Sequence, residues 1–509
     1  MKLFVNDDIR AIELKTLSSE SITERTIVER VAAGAAREIS LRWLPGTRTV
    51  VFAGPGNNGA DALATSIELI GRGFKPIVYL FNIGGSSLKN EALYFRNLYK
   101  ERFPDSDFHE VTGMFNTPEL GPGDLVIDGL FGSGLKDGLS GGFMSLVRYI
   151  NESGAQVVSI DLPSGMVGDW DKSLIERNVI HATMTLAIEV PRISFFFPDK
   201  AELAGEIKVI DVGLSREEKE RRPTNYYMVD EQSVRTRLKP RGRFCSKADF
   251  GSALIVSGRY GMMGASVMAC RGAVRAGAGK VTLYGPQCGF PIVQTAVPEA
   301  MFESDDNKLV ISGVKPQHPY TACGIGPGIG TNELTVNAVE TFIKSSNNPL
   351  VIDADALNAI SRRPDILNNV PAHSLLTPHE GEFDRLFGEC DSRESRVKKA
   401  IDTAKYYAVF ILLKGHYTTL ICPDGKLYFN TTGCSGMATP GAGDVLTGIL
   451  TALMAQGYNS KSAAIIGAYI HGLAGEMAQK KHGEYGVTAS DIADHVGEAI
   501  QSVFSSQKR

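Results

Sequence analysis

Residues 49–61 read Thr49-Val50-Val51-Phe52-Ala53-Gly54-Pro55-Gly56-Asn57-Asn58-Gly59-Ala60-Asp61. A run of β-branched and aromatic residues stops abruptly at glycine, proline and carboxamide. The apolar, helix-forming stretch that follows predicts a helix from Ala62. Strand, Gly-rich turn and helix in that order form the unit of a parallel sheet. Its strands are buried on both faces and therefore read as nearly unbroken apolar runs.

The same grammar recurs outward from this stretch. Strands are expected at Pro76–Phe81, Leu125–Asp128, Val157–Asp161, Met184–Val190 and Ile207–Asp211. Upstream, the first forty residues read as helix, with Thr23 or Ser21 able to cap the stretch from Glu24. The charged run from Ser215 to Arg222, punctuated by Pro223, marks a boundary near 215–225. A second series then opens: Ser252–Val256, Lys280–Tyr284, Thr321–Gly324, Leu350–Asp353, Ser374–Leu376 and Val409–Leu413. Thr418–Ile421 and Leu427–Asn430 flank Pro423-Asp424-Gly425 as a hairpin. The expectation is α/β in two domains, residues 1–220 and 221–509.

Composition narrows the class. The 509 residues carry 53 Lys+Arg against 57 Asp+Glu, a net −4, which argues against a domain-wide basic surface for nucleic acid. No apolar run approaches the roughly 18 residues that span a bilayer, and the opening residues 1–8 lack a signal-peptide core. All seven cysteines lie beyond residue 240, without CxxC spacing, and read as free thiols in a reducing compartment. A cytoplasmic protein with no membrane or nucleic-acid partner is expected. The 54 glycines, about 11% where about 7% is usual, cluster at strand ends.

In the first half, three strand ends carry polar groups where open α/β sheets bind ligands. They are Gly54 to Asp61, then Asp128 with Gly129-Leu130-Phe131-Gly132-Ser133-Gly134-Leu135, then Asp161-Leu162-Pro163-Ser164-Gly165. Singly, each is an ordinary turn or helix cap. Together, the oxygens of Asn58, Asp128 and Ser164 suit a hard cation, and the glycines a phosphate. The set NNGxD, DxxxGSGL and DxPSG resembles the NAD(P)H-hydrate epimerase family, a Rossmann-like domain, over roughly residues 1–214. The resemblance implies that Asn57, Asn58, Gly59, Ala60 and Asp61 hold the substrate together with Gly132, Ser133, Gly134, Leu135, Lys136, Asp137 and Gly138. It implies that Asn58, Asp128 and Ser164 bind K+ and that Asp161 faces the substrate; proton movement at the hydrated carbon makes Asp161 the candidate acid/base. Ala60 and Ala62 stand where the family usually has glycine. Lys136–Gly138 stands where it tends to have Arg-Pro. A methyl at 60 is unfavourable if the backbone there needs a positive φ.

In the second half, Met437-Ala438-Thr439-Pro440-Gly441-Ala442-Gly443-Asp444 leads into an apolar helix from Val445. Small residues at a helix start aim backbone amides at phosphate oxygens. A carboxylate there either caps the helix or draws a proton from an attacking hydroxyl. No Gly-Lys-Ser/Thr follows, so this is not a Walker A loop. The loops Gly324–Gly330, Asp353–Asn358, Thr377–Glu382 and Lys414–Thr418 fit the same picture, with Lys414 able to reach a nucleotide phosphate.

From about Tyr226 to Val503, GPGIG, DADALN, TPHEGEF and GAGDVLTG in this order strongly resemble the ADP/ATP-dependent NAD(P)H-hydrate dehydratase family, a ribokinase-like fold. The resemblance implies that Ala265, Gly328, His379 and Asp444 contact the hydrated nucleotide, with Asp444 catalytic. It assigns Lys414, Gly415, His416, Tyr417, Thr418 and Gly443 to the adenine nucleotide. Mg2+ with ADP or ATP is implied. The substrates would be the hydrates NADHX and NADPHX, the R and S forms interconverted and the S form dehydrated. A homo-oligomer is a general expectation for soluble enzymes. Two rivals remain: a small-molecule kinase, which leaves a stable phosphorylated product, and a first half that binds its ligand without turnover.

Overall fold

A computed structural model describes residues 1–135, 138–170 and 178–505. The chain divides into two compact units, Lys2–Thr224 and Asn225–Arg509 with Met1. Each is α/β with a largely parallel sheet, as the alternation of apolar runs and Gly-rich turns predicts.

The first unit opens with two helices, Asn6–Glu20 and Glu24–Arg42. They separate at Ser21, which takes a left-handed backbone. Thr23 caps the second by accepting from the Thr26 amide. Its Ile27, Val28, Val31, Ala35 and Ile39 share one buried face, the helical period of the sequence pattern. The sheet runs Phe108–Val111, Pro76–Phe81, Thr49–Ala53, Leu125–Gly129, Gln156–Ile160, Met184–Ile188, Glu206–Ile210, all parallel. Strand order therefore reverses between Thr49–Ala53 and Leu125–Gly129. That reversal opens a crevice at the carboxyl ends of the strands.

The helix after Thr49–Ala53 starts at Asn57, five residues earlier than the sequence suggested, and runs to Gly71. Gly59 lies within its first turn because a Cβ there would fall 1.8 Å from the Gly54 carbonyl. The glycine that looked like loop chemistry is thus a close-approach residue. Ala60 is helical and fully buried, and its amide donates to Gly56 at 3.1 Å. Its φ is not positive, so its methyl carries no backbone strain.

The second unit's sheet runs Tyr226–Val229, Leu427–Asn430, Thr419–Ile421, Phe410–Leu413, Leu375–Leu376, Leu350–Ile352, Ala322–Ile325, Ser252–Val256, Lys280–Gly285, Met301–Ser304. It is parallel except where Thr419–Ile421 pairs with its two neighbours, the expected hairpin. The helix predicted from Val445 begins at Ala442, with Gly441 as its cap at φ 90. It packs backbone to backbone on Met263–Arg275, since a Cβ at Gly448 would lie 1.9 Å from Ala269 O. Among the described residues, four strands escaped the sequence reading: Lys2–Leu3, Phe108–Val111, Tyr226–Val229 and Met301–Ser304. Two of these, Phe108–Val111 and Met301–Ser304, are sheet edges carrying His109, Glu110 and Glu303, where one-sided pairing tolerates polar residues. All seven cysteines are free thiols. Among the described residues, no helix is long and apolar enough to cross a membrane.

Candidate active sites

The first site forms where strand order reverses in the first unit. Asp128, at the end of Leu125–Gly129, is fully buried. Its carboxylate accepts from Ser159 Oγ at 2.8 Å, Ser164 N at 2.8 Å, Ser164 Oγ at 2.5 Å and Leu130 N at 3.3 Å. Burial raises its pKa despite these donors. Asn58, on the first turn of its helix, is buried, and neither its Oδ1 nor its Nδ2 has a hydrogen-bond partner among the described residues. Buried amides without partners are uncommon. A Cβ on Gly132 would meet Asp161 Oδ2 at 2.8 Å and Asn58 Oδ1 at 3.2 Å. The loop at 132 thus rests on both side chains.

Asp161 holds a left-handed backbone, φ 66, and is 4% exposed. A non-glycine residue kept in that conformation is strained. Its Oδ2 accepts from the Ser133 amide at 2.9 Å. Its Oδ1 accepts from Arg192, from Nε at 3.2 Å and from Nη2. Asp61, one helical turn after Asn58, shares its face of the helix. Burial, then the Asp161 and Glu13 carboxylates, push its pKa well above the usual range. Burial, then Glu24 and Asp161, raise Glu13 as well.

In the second unit, Asp444 lies in the first turn of Ala442–Ala455. Burial and then the nearby Asp353 charge raise its pKa to about 7, against the opposing pull of Lys414. Lys414, at the end of Phe410–Leu413, has its Nζ 2.8 Å from Asp353 Oδ1 and 3.8 Å from Glu382 Oε2. A Cβ on Gly443 would stand 3.6 Å from that ammonium. The residues after Lys414 are held from below by buried Arg393, which reaches Glu380 Oε1 at 2.5 Å and the carbonyls of Leu413, Lys414 and Tyr417. Thr418 Oγ1 closes the turn onto Gly415 O at 3.1 Å, and His416 sits edge-on to Tyr417.

Of the remaining predicted positions, Gly328 lies in the turn that binds Asp355 and His379 caps the helix that carries Glu382, two carboxylates whose charges act on Asp444. Gly328, φ 65, brings its backbone against Met262 O and the Ala265 methyl. Gly330 N donates to Asp355, whose charge also acts on Asp444. His379 caps Glu380–Phe387: its Nδ1 accepts the amides of Gly381 and Glu382, while Glu382 accepts the His379 amide. Its ring is half-exposed beyond that cap.

Comparison with known proteins decides the family. A family model described as NAD(P)H-hydrate dehydratase matches residues 253–498, and one described as YjeF-related protein N-terminus matches 24–194. The chain is 30% identical over 518 residues to the bifunctional NAD(P)H-hydrate repair enzyme Nnr of Thermofilum pendens, covering 99% of this chain and 97% of that one. It is 31% identical over 502 residues to the enzyme of the same name from Coxiella burnetii, covering 97% and 98%. The chain belongs to the bifunctional NAD(P)H-hydrate repair enzymes. A solved Bacillus subtilis ADP/ATP-dependent NAD(P)H-hydrate dehydratase, co-crystallised with ATP and Mg2+, is 28% identical. The match covers 55% of this chain and all of that one, with a TM-score of 0.49.

As a member of this family, the protein is an NAD(P)H-hydrate epimerase joined to an NAD(P)H-hydrate dehydratase, each on an α/β unit with a largely parallel sheet. The geometry gathers Asn58, Asp61, Gly132, Ser133 and Asp161 in the repair enzyme's first unit. Gly134 and Gly138 are exposed with open space about them, and Leu135 packs toward the core. Lys136 and Asp137 lie outside the described residues. The sequence reading missed Arg192, Glu13, Thr447 and Arg393. For Arg192 the only signal was a basic residue just past the strand Met184–Ile188. Glu13, Thr447 and Arg393 sit on helices and left none.

Proposed function

We propose that Asp444 is the base of the dehydratase and Asp161 the proton-exchanging group of the epimerase. The observation that carries this reading is the Asp444 carboxyl at the start of Ala442–Ala455, facing Lys414 and Asp353, with a pKa of about 7. A base poised near the working pH removes a proton most effectively.

In the second unit, Asp444 takes the proton of the ring hydroxyl as that oxygen attacks the terminal phosphoryl group of ADP or ATP, whose P–O bond breaks to release AMP or ADP. Hydroxide, a poor leaving group, becomes phosphate. The ring nitrogen lone pair then expels phosphate, and loss of the neighbouring C–H proton restores the dihydronicotinamide. Lys414 and the amides near Gly443 face the nucleotide phosphates, and Gly415 to Thr418 flank the nucleotide. Ala265, Gly328 and His379 bound the hydrate. Mg2+ carried in with the nucleotide supplies charge neutralisation at the phosphates.

In the first unit, the ring hydroxyl leaves with a proton as the ring nitrogen forms a C=N bond. Water then adds to the opposite face and gives its proton to the site, exchanging R for S. Asp161 moves the proton, and Asn57 to Asp61 with Gly132 to Gly138 hold the nucleotide. Asn58, Asp128 and Ser164 would hold K+; the buried Asn58 amide oxygen without a partner fits such a cation. K+ supplies a fixed positive charge beside the substrate oxygens. Cytoplasmic residence and a symmetric oligomer complete the reading.

The test mixes protein with both hydrate epimers, Mg2+, K+ and either ADP or ATP, and follows return of the reduced-nicotinamide absorbance. Return of both epimers with either nucleotide is expected. No return with either sinks the dehydratase roles, and return of the S fraction alone sinks the epimerase roles.

A further inference from the structure

Arg192 follows the strand Met184–Ile188 and starts the turn Ile193–Phe196 at the same carboxyl-end side of the sheet as Asp161. The Asp161 amide itself donates to Leu186 O at 2.9 Å, which fixes the two strand ends side by side. Arg192 is 3% exposed, an extreme position for a cation. Nε and Nη2 both donate to one oxygen of Asp161, Oδ1, and no described residue accepts from Nη1, which is buried. The other oxygen, Oδ2, lies under Gly132 and accepts the Ser133 amide. One carboxylate oxygen is thus clamped by the guanidinium, and the other is presented to the loop assigned to the substrate.

A further asymmetry accompanies the clamp. The Asp161 charge raises both Asp61 and Glu13, and Arg192, after Arg10, pulls Glu13 back down. A guanidinium fork suits this task better than an ammonium because it fixes direction as well as charge.

We propose that Arg192 is a positioning residue of the epimerase site: it orients Asp161 through Oδ1 and offers its inward Nη1–H to an oxygen of the hydrated nicotinamide ring. The proposal rests on the assignment of Asp161 as the proton-exchanging group. Arg192 itself transfers no proton, since a guanidinium stays charged throughout the accessible pH range.

The test uses the full chain, S-NADHX as the starting material and no ADP or ATP, so that only epimerisation proceeds. Appearance of the R form is followed by chromatography. Arg192→Gln is expected to lower kcat about 10–100-fold, the cost of a misoriented reacting group, while KM changes far less. Arg192→Lys, which keeps the charge without the fork, is expected to recover part of kcat. If Arg192→Gln does not fold by near-ultraviolet dichroism, Arg192→Lys decides alone. Wild-type kcat in Arg192→Lys, or in a folded Arg192→Gln, overturns the clamp. A change in KM alone, with kcat intact, also overturns it. Asp161→Asn is run beside them: if it keeps wild-type kcat, the assignment of Asp161 fails, which is a different result from failure of Arg192.

Discussion

Lys414 Nζ and Asp353 Oδ1 stand 2.8 Å apart just past the ends of Phe410–Leu413 and Leu350–Ile352, the two strands that flank Leu375–Leu376, and Thr447 donates to the second oxygen of the same carboxylate at 2.6 Å. Asp353 is 1% exposed, whereas the Lys414 side chain keeps 20% of its surface in contact with solvent. Burial alone would push the Lys414 pKa down, but Asp353 and Glu382 outweigh it and hold it above the ordinary value. The ammonium therefore stays charged where a nucleotide phosphate would need it.

Asp353→Asn should break this arrangement. Lys414 would keep Glu382, 3.8 Å away, and the more distant charge of Asp444, and Thr447 would face an amide. Removing one member of a buried pair costs about 3–5 kcal/mol, and partial exposure of Lys414 places this case toward the lower end. The expected result is a lower unfolding midpoint and a nucleotide KM raised about tenfold or more, the loss of a charge-assisted contact. Calorimetry and initial rates of S-NADHX dehydration measure the two. An unchanged midpoint would show that the pair stabilises nothing.

The pH dependence of dehydration follows from Asp444. Burial and Asp353 place its pKa at about 7, and the base acts only when ionised. The kcat/KM for S-NADHX should fall below about pH 7 and level off above it, and a limb near pH 4 would remove Asp444 from the role. Stability runs the opposite way. Between the unfolded value of 3.8 and about 7 the folded protein holds the extra proton, so stability declines as pH rises through that window. Asp444→Asn should then abolish turnover, yet raise stability at pH 8 by about 1–2 kcal/mol after allowance for solvent screening, with little gain at pH 4.

Two neighbouring substitutions separate helix chemistry from loop chemistry in the first unit. Ala60→Gly inserts the residue the family usually carries. Because Ala60 is helical with negative φ, the change should cost about 1 kcal/mol and leave epimerisation within about twofold. Gly59→Ala places a methyl 1.8 Å from Gly54 O and should displace the turn that carries Asn58 and Asp61. Loss of epimerisation with dehydration retained is the expected pattern, read by running both assays on the same preparation.

How far the sequence reached is visible at these same residues. Apolar runs placed Thr49–Ala53, Pro76–Phe81 and Ser252–Val256 to the residue, because a strand buried on both faces must be apolar throughout. Helix starts were read late at Asn57 and Ala442. Glycines needed for close backbone approach look like loop glycines until the neighbouring carbonyl is known. Asp161 and Asp444 were legible because each ends a strand or opens a helix in a recognisable motif. Arg192 and Arg393 were not: each acts through a partner distant in sequence, and no local pattern encodes that partner.

Arg393 gives the sharpest test of such a hidden support. Its guanidinium is 6% exposed as a side chain and gathers Glu380 with the carbonyls of Leu413, Lys414 and Tyr417. Gly415 closes on it so tightly that a Cβ would lie 2.9 Å from Nη1. Arg393→Ala would leave these buried carbonyls without a donor and release the segment from Lys414 to Thr418, whereas none of the hydrogen bonds it removes goes to Asp444, Ala265 or Gly328. The loss should therefore fall on the nucleotide: KM for ADP or ATP raised about tenfold, the size of one lost charge-assisted contact, with KM for S-NADHX nearly unchanged. Initial rates with each substrate varied in turn measure both. An equal rise in both constants would mean that the segment serves the whole site rather than the nucleotide.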